Sequence, residues 1–384
     1  MPENQFFQLG LTATATSIAV SLLIVLSQKW HGGFSHDHDL NGVQKVHTTA
    51  VPRIGGLAVF AGVLFGLLIF RKINPDLMNT ARCKDILLLL CASLPAFLAG
   101  VIEDMTKRVS VKARLSATAL SAVIASALLG ATVNELDLWG VDALLAFTPF
   151  AVLVTAVVVA GGSNAINIID GFNGLSGSTI VIMTAGLAAV AVQNGDVFVG
   201  LLGALGIGAT LGFLALNYPR GKLFLGDGGA YFLGFWVSEM AVLLLVRNPA
   251  VNAWQVLAIC AYPVIEVLFS IYRRRVIQNV SPGAPDALHL HTLVFRRLVF
   301  KHVRQDARKP WKRNAAVPCV IAPAVAACVA LSAALGASGP VSFVLVLMQL
   351  AIYVVAYRRL VRGTWKVSRR GRANLAVGAS ANSR

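Results

Sequence analysis

The chain reads as an all-α, polytopic integral membrane protein of about eleven transmembrane helices, and three observations predict this class. Hydrophobic residues make up 57% of the 384 positions, charged residues only 13%, and the mean hydropathy is +0.72, far above a soluble domain. Mainly apolar stretches of the ~17–25 residues that a bilayer requires recur along the chain. Lys and Arg are also distributed unevenly between alternate loops, as they are in proteins that keep basic loops on the cytoplasmic side.

The apolar stretches fall at 8–28, 54–70, 86–102, 114–132, 144–162, 178–193, 197–217, 229–246, 254–272, 315–336 and 341–357. With the N-terminus outside, the inward loops hold 28 of the 33 Lys and Arg and the outward loops hold 5. The expected orientation is therefore N-terminus outside and C-terminus cytoplasmic, with one transmembrane catalytic domain over 1–362. A basic tail at 363–384 lacks hydrophobic periodicity and is expected to be disordered. Residues 1–28 contain no Lys or Arg, so no cleaved signal peptide is expected. The net charge of +16 borders spans rather than forming a nucleic-acid footprint, and points to anionic headgroups and substrates. Four of the five cysteines lie in spans, which leaves no disulfide framework.

The first inward loop carries His36-Asp-His-Asp39, whose close spacing suits a solvated loop better than a metal site. Lys45, His47 and Arg53 follow, beside the helix start at Gly55-Gly56, a place suited to phosphate. The third span ends in Glu103-Asp104, an acidic pair at a depth that calls for a partner or a wet cleft. The fifth leads into Asn164-Ala-Ile-Asn-Ile-Ile-Asp-Gly-Phe-Asn-Gly-Leu-Ser-Gly177, polar, glycine-rich and free of Lys and Arg. Asn164, Asn167 and Asp170 recur at intervals of three, which places them on adjoining parts of one helix face if the span continues that far. Oxygen ligands of this type suit magnesium in a metal–nucleotide site.

A second polar cluster runs from Asn217 through Phe224 to Asp227, which sits among glycines at a helix start. Glu239 and Glu266 are acids within spans and should face the bundle; Glu266 precedes Arg273-Arg-Arg275 and is expected to pair with it. Two histidines, His289 and His291, can meet one ligand only if the chain between them is extended or looped.

Together these motifs resemble the polyprenyl-phosphate N-acetylhexosamine-1-phosphate transferases, in family order from Lys45 to about Leu298. The segments are Pro52-Arg-x-Gly-Gly56, the acidic pair, Asn164-x-x-Asn167-x-x-Asp170-Gly, Phe224-x-Gly-Asp227 and His289-x-His291. The resemblance implies transfer of a sugar 1-phosphate from a UDP-sugar to polyprenyl (undecaprenyl) phosphate, with release of UMP. Such a step initiates a lipid-linked cell-surface glycan such as O-antigen or capsule. It further implies Mg2+, with Mn2+ as a substitute. Asp227 and Asn167 would be metal residues, and Glu103, Asp104, Asp170, Asp227, His289 and His291 catalytic. Lys45, His47, Arg53, Asn164, Asn173, Asn217, Phe224 and Arg274 would contact substrate, Phe224 by stacking on uracil. The expected setting is a bacterial inner membrane with the site on its cytoplasmic face, a homodimer as the candidate assembly, and no nucleic acid.

In two places the sequence departs from the family pattern. Glu103 stands where the family usually has Asp, and Asn173 occupies the position of a second aspartate in the peptidoglycan translocase. His-x-His in place of three histidines points to an N-acetylhexosamine donor. A secondary transporter is the alternative, but the polar residues gather at span ends on one side. A CDP-alcohol phosphotransferase would require an Asp-Gly-x-x-Ala-Arg pattern, and Asp170-Gly is followed by Phe-Asn-Gly.

Overall fold

The computed structural model describes residues 4–35, 51–76, 78–281, 283 and 286–363. Lys45, His47, the 36–39 run and the tail from 364 onward lie outside the described residues. Among those described, the regular structure is helical: α1 (Asn4–Ser35), α2 (Gly55–Ile73), α3 (Thr80–Thr106), α4 (Val111–Leu129), α5 (Val141–Leu145), α6 (Thr148–Ile169), α7 (Leu175–Gln193), α8 (Val197–Asn217), α9 (Gly226–Arg247), α10 (Ala253–Ile259), α11 (Ala261–Tyr272), α12 (Leu290–Val294), α13 (Phe300–His302), α14 (Lys312–Leu335) and α15 (Gly339–Arg362). Ten of these are long and apolar enough to cross a bilayer, and the pair α10 and α11 makes an eleventh candidate span. Each of the eleven apolar stretches thus finds a helix or helix pair.

Local chemistry sets the ends. Asn79, Ser110 and Asn252 accept backbone N–H bonds from Arg82, Ala113 and Gln255 at 2.8, 3.2 and 2.8 Å, each capping a helix start. Asp196 does the same for α8 and also grips Arg247 and Asn248 at the end of α9, so the one basic residue expected in that outward loop is held by an ion pair. Pro263 has no N–H to offer the Ile259 carbonyl, and the helix breaks there: α10 and the extension Ala261–Ile277 meet at 85°. The sequence alone reads this stretch as a single span. Pro95 is tolerated inside α3, where Ser121 of α4 accepts the neighbouring Ala96 N–H at 3.0 Å, the kind of compensation a membrane helix needs.

α9 is the most buried span and packs against α2, α3, α6, α7 and α8. Lipid tails are as apolar as leucine, so close packing and hydrogen bonds must hold such a bundle together. Phe232 meets Phe60 of α2 and Phe97 of α3 edge-on, with centroids 5.2 and 5.8 Å apart. The Trp236 indole donates to the Leu202 carbonyl at 3.1 Å. Along the α1–α8 seam, Thr14 and Ser17 donate to the carbonyl oxygens of Gly208 and Ala209. α9 is thus fixed along its length, and its first turn presents Asp227.

Candidate active site

The first turn of α9 is held by two neighbours. The Pro52–Gly56 segment pairs with Phe224 and Leu225 through three backbone bonds, each 2.9 Å: Phe224 N–H to Pro52 O, Gly55 N–H to Phe224 O, and Gly56 N–H to Leu225 O. From α3, the buried Asp104 carboxylate accepts the Asp227 and Gly228 N–H groups, one on each oxygen, at 2.9 Å. A carboxylate at a helix N-terminus satisfies donors that the helix cannot. Approach this close requires glycine. Gly226 has φ +72°, and a Cβ there would stand 1.9 Å from the Arg53 carbonyl oxygen; a Cβ on Gly56 would stand 2.3 Å from Gly229 N.

The Asp227 carboxylate is surrounded by polar groups. Asn167 donates to its Oδ1 at 3.0 Å, Arg114 of α4 forms an ion pair with its Oδ2, and Arg53 lies 3.6 Å away. Arg53 also reaches within 3.8 Å of Asp104. Arg114 lies over the Tyr231 ring and keeps a buried Nε without a partner among the described residues. α6 does continue to Ile169, so Asn164 and Asn167 share its last turns and Asp170 caps its end. Asn164 accepts the Tyr231 hydroxyl at 3.3 Å, and Asp170 accepts the Ser176 hydroxyl. Burial raises the Asp170 carboxyl to about 6, against the opposing pull of Ser176 and Arg53.

The histidine loop closes over this wall. His289 caps α12 in an extended conformation, which lets His289 and His291 stack with centroids 5.3 Å apart despite their spacing. Glu266 takes His289 Nδ1 at 3.0 Å and accepts the Leu290 N–H. The expected pairing of Glu266 with the arginine run is thus replaced: Arg273 pairs with Asp286 and hydrogen-bonds Gln278 and Ser270. Burial favours the neutral Asp286 carboxyl, but the Arg273 bond outweighs it and holds the group below the usual range. His291 lies edge-on to Phe172, its ring against Gly171. Its Nδ1 is buried without a partner among the described residues, and burial lowers the imidazole to about 4.

Asp104, Asp170, Asp227, Asn167, Asn164, Arg53 and His291 thus line one side of the bundle. Phe224 is half-buried beside Asp227. Glu103 turns away from them, accepting the Val109 N–H at 2.7 Å in the α3–α4 turn. Asn217 spends both amide atoms on backbone, accepting from Gly174 and donating to the Leu223 carbonyl. Asn173 accepts nothing on its buried Oδ1 from the described residues; its N–H meets Asn314 and its amide nitrogen the Pro219 carbonyl. Arg274 donates to the Ser281 carbonyl and lies 3.8 Å from Asp286. These last three brace the loops around the cleft. Arg114 and Ser176 were not foreseen. A cation one turn inside an apolar helix was the available signal for Arg114, which the topology count absorbed.

The donor set fits a hard divalent cation. Asp227, Asp170 and the Asn167 amide supply only oxygen ligands, and Mg2+ takes few protein ligands when it shares phosphate oxygens. Arg53 and Arg114 pair with the Asp227 carboxylate here, and a divalent cation taking their place on its oxygens would free both guanidinium groups for phosphate. Among the described residues no three His, Cys, Asp or Glu side chains converge.

The chain is similar to known proteins. The profile described as glycosyl transferase family 4 matches residues 86–245, which include Asp104, Arg114, Asn167, Asp170 and Asp227. An undecaprenyl-phosphate alpha-N-acetylglucosaminyl 1-phosphate transferase of Yersinia pestis is 27% identical over 267 residues, 67% of this chain and 69% of the relative. A protein described as a probable enzyme of this kind in Bacillus subtilis (strain 168) is 30% identical over 255 residues, 65% of this chain and 66% of its own. The Salmonella typhi counterpart is 28% identical over 336 residues, 86% of this chain and 85% of its own. The chain belongs to glycosyl transferase family 4.

Proposed function

We propose that the chain transfers an N-acetylhexosamine 1-phosphate from a UDP-sugar to undecaprenyl phosphate, releasing UMP, on the cytoplasmic face of a bacterial inner membrane. The product is the first lipid-linked intermediate of a surface glycan. One observation carries the reading: Asp104, Asp227, Arg53, Arg114 and Asn167 converge at the first turn of α9, and an apolar cavity of about 460 Å3 between α6, α9, α10 and α11 reaches Ala165 and Ile166 at the end of α6. Ile166 lines that cavity and stands in sequence between Asn164 and Asn167. A prenyl chain seated there brings its phosphate to Asn167 and Asp227. The excess of basic residues in the loops on this face supports a cytoplasmic site.

In the reaction an oxygen of the lipid phosphate attacks the β-phosphorus of the UDP-sugar. The bond from that phosphorus to the oxygen bridging it to the α-phosphorus breaks, and UMP leaves with the bridging oxygen. Phosphoryl transfer depends on positioning and charge neutralisation. Arg53 and Arg114 neutralise phosphate oxygens, and His291, neutral at cytoplasmic pH, offers the diphosphate a hydrogen bond. A lipid phosphate, with its second pKa near ~6, is already largely dianionic, so Glu103 and Asp104 act by position rather than as bases. Mg2+ or Mn2+ held by Asp227, Asn167 and Asp170 would offset the charge of the diphosphate.

The test is UMP release from purified protein in lipid nanodiscs given undecaprenyl phosphate, MgCl2 and a panel of UDP-N-acetylhexosamines. Release with at least one donor, lost in Asp227→Asn, is expected. No UMP with any donor, or full activity in Asp227→Asn, overturns the proposal.

A further inference from the structure

A second groove, of about 720 Å3, runs between α11 and α15. It shares Leu257, Val264 and Leu268 with the acceptor cavity, but its α15 wall and its two arginines are absent from that cavity's lining. Its wall on α15 runs from Val346 to Val361, about 22 Å at 1.5 Å per residue. That exceeds the ~15 Å of one leaflet's hydrocarbon, half of a bilayer core. α11 and α15 both run toward the face that carries the candidate site. The lining is apolar through Val264, Leu268 and Leu350, then changes at that face to Arg273, Gln278 and Arg358.

Two features of the polar end point to an anionic ligand. Arg358 is exposed and has no partner among the described residues. Arg273, only 5% exposed, turns its terminal nitrogens to Asp286, Gln278 and Ser270 and leaves its Nε buried without a partner among the described residues. An unsatisfied buried donor is costly, and a phosphate oxygen would satisfy it.

We propose that the α11–α15 groove binds one anionic phospholipid of the leaflet on the site face, its acyl chains along Leu268 and Leu350 and its phosphate at Arg358 and Arg273. A zwitterionic lipid carries an ammonium group that Arg358 repels, so the site discriminates by headgroup charge. Arg273 also holds Asp286, which lies 3.5 Å from His289 Nε2. The bound lipid therefore buttresses the loop that carries His291, and the transferase activity proposed above, on which this consequence rests, depends on anionic lipid.

Binding is tested on the delipidated full chain by native mass spectrometry with phosphatidylglycerol and phosphatidylcholine titrated in parallel. At least tenfold preference for phosphatidylglycerol is expected. Arg358→Gln should reduce it about fivefold, in line with one basic residue at an anionic surface, and Leu350→Trp, which fills the groove, should abolish it. Both positions are exposed, and unchanged melting midpoints confirm that the variants fold. Equal retention of both lipids, or unchanged binding in Leu350→Trp, overturns the proposal. Displacement of phosphatidylglycerol by stoichiometric undecaprenyl phosphate assigns the groove to the acceptor instead, and loss of a dimer in Leu350→Trp without lipid loss assigns it to a second copy; either result overturns it. These readouts need no activity, so they stand or fall separately from the reaction proposed above.

Discussion

Replacing Asp104 by Asn separates a clamp from a catalytic acid. In the structure each Asp104 oxygen accepts one backbone N–H of the first turn of α9, from Asp227 and Gly228, both at 2.9 Å. Asparagine has nearly the same shape but keeps one acceptor and turns an NH2 toward the other N–H. One charge-assisted bond, about 1.5–3 kcal/mol, is lost, and a buried donor is left unpaired at a cost of about 1–3 kcal/mol. The attraction between a carboxylate and the helix start, about 0.3–1 kcal/mol and more when partly buried, is lost too. The expected destabilisation is roughly 3–5 kcal/mol, concentrated where Asp227 is presented. Thermal unfolding in nanodiscs should show a midpoint lowered by several degrees, and UMP release should fall by about two orders of magnitude or more, since each 1.4 kcal/mol at the transition state is tenfold. An unchanged midpoint with an abolished rate would place Asp104 in the chemistry instead. Unchanged values of both would show that the two hydrogen bonds carry no weight.

Four further outcomes follow from the geometry. Glu103→Gln keeps an acceptor for the Val109 N–H, so its rate should stay within a few-fold of the parent with the same pH profile; a loss that high pH restores would mark Glu103 as a base. Arg114→Met removes the ion pair to Asp227 and leaves a half-paired buried charge, a loss of about 3–5 kcal/mol, so UMP release should drop more than a hundredfold with Arg114→Lys between the two; a full rate in Arg114→Met refutes the role. His291 is lowered to about 4 by burial against about 6.5 in the unfolded chain. The unfolded state therefore binds the proton first as pH falls, and about 3 kcal/mol of stability present at pH 7 should be lost between pH 6.5 and 4, a loss that His291→Asn should lack when melting is followed over that range. Glu239 is fully buried in α9 with neither oxygen hydrogen-bonded among the described residues; Glu239→Met should raise the melting midpoint and keep activity, and a lower midpoint would reveal a partner for that carboxyl.

Hydropathy located every span, because a lipid-facing helix must be apolar along most of its length and that property is local in sequence. The kink at Pro263 escaped this reading because Pro95, Pro318 and Pro323 sit in helices that do not break. Whether a proline bends a helix depends on what neighbours supply to the freed groups, as Ser121 does beside Pro95. The identity of the cleft was legible for the same reason as the spans: Asn167, Asp170 and Asp227 are conspicuous because polar groups are scarce. Their partners were not legible. Glu266 was expected to meet the nearby arginines and instead holds His289, 23 positions away, a choice made by the fold of the loop rather than by spacing along the chain.

The position of Arg114 accounts for a feature of the glycine-rich wall that composition alone left open. Asn164 to Gly177 contains no Lys or Arg, yet the Asp227 carboxylate that it faces is neutralised by two guanidinium groups. Both come from other segments: Arg114 from α4, and Arg53 from the strap that is hydrogen-bonded to Phe224 and Leu225. A cation built into the wall itself would sit permanently against the oxygen donors and compete with any metal for them. Cations borne on separate elements can follow phosphate oxygens as substrate enters, while Asn167 and Asp170 stay fixed by the end of α6. The division is therefore one of placement, with oxygen donors on the wall and cations on the elements around it. It predicts that moving a cation onto the wall, as in Asn164→Lys, costs more activity than removing Asn164 by Asn164→Ala. Matched UMP-release assays of the two variants decide it, and equal losses would show that the placement of the cations is incidental.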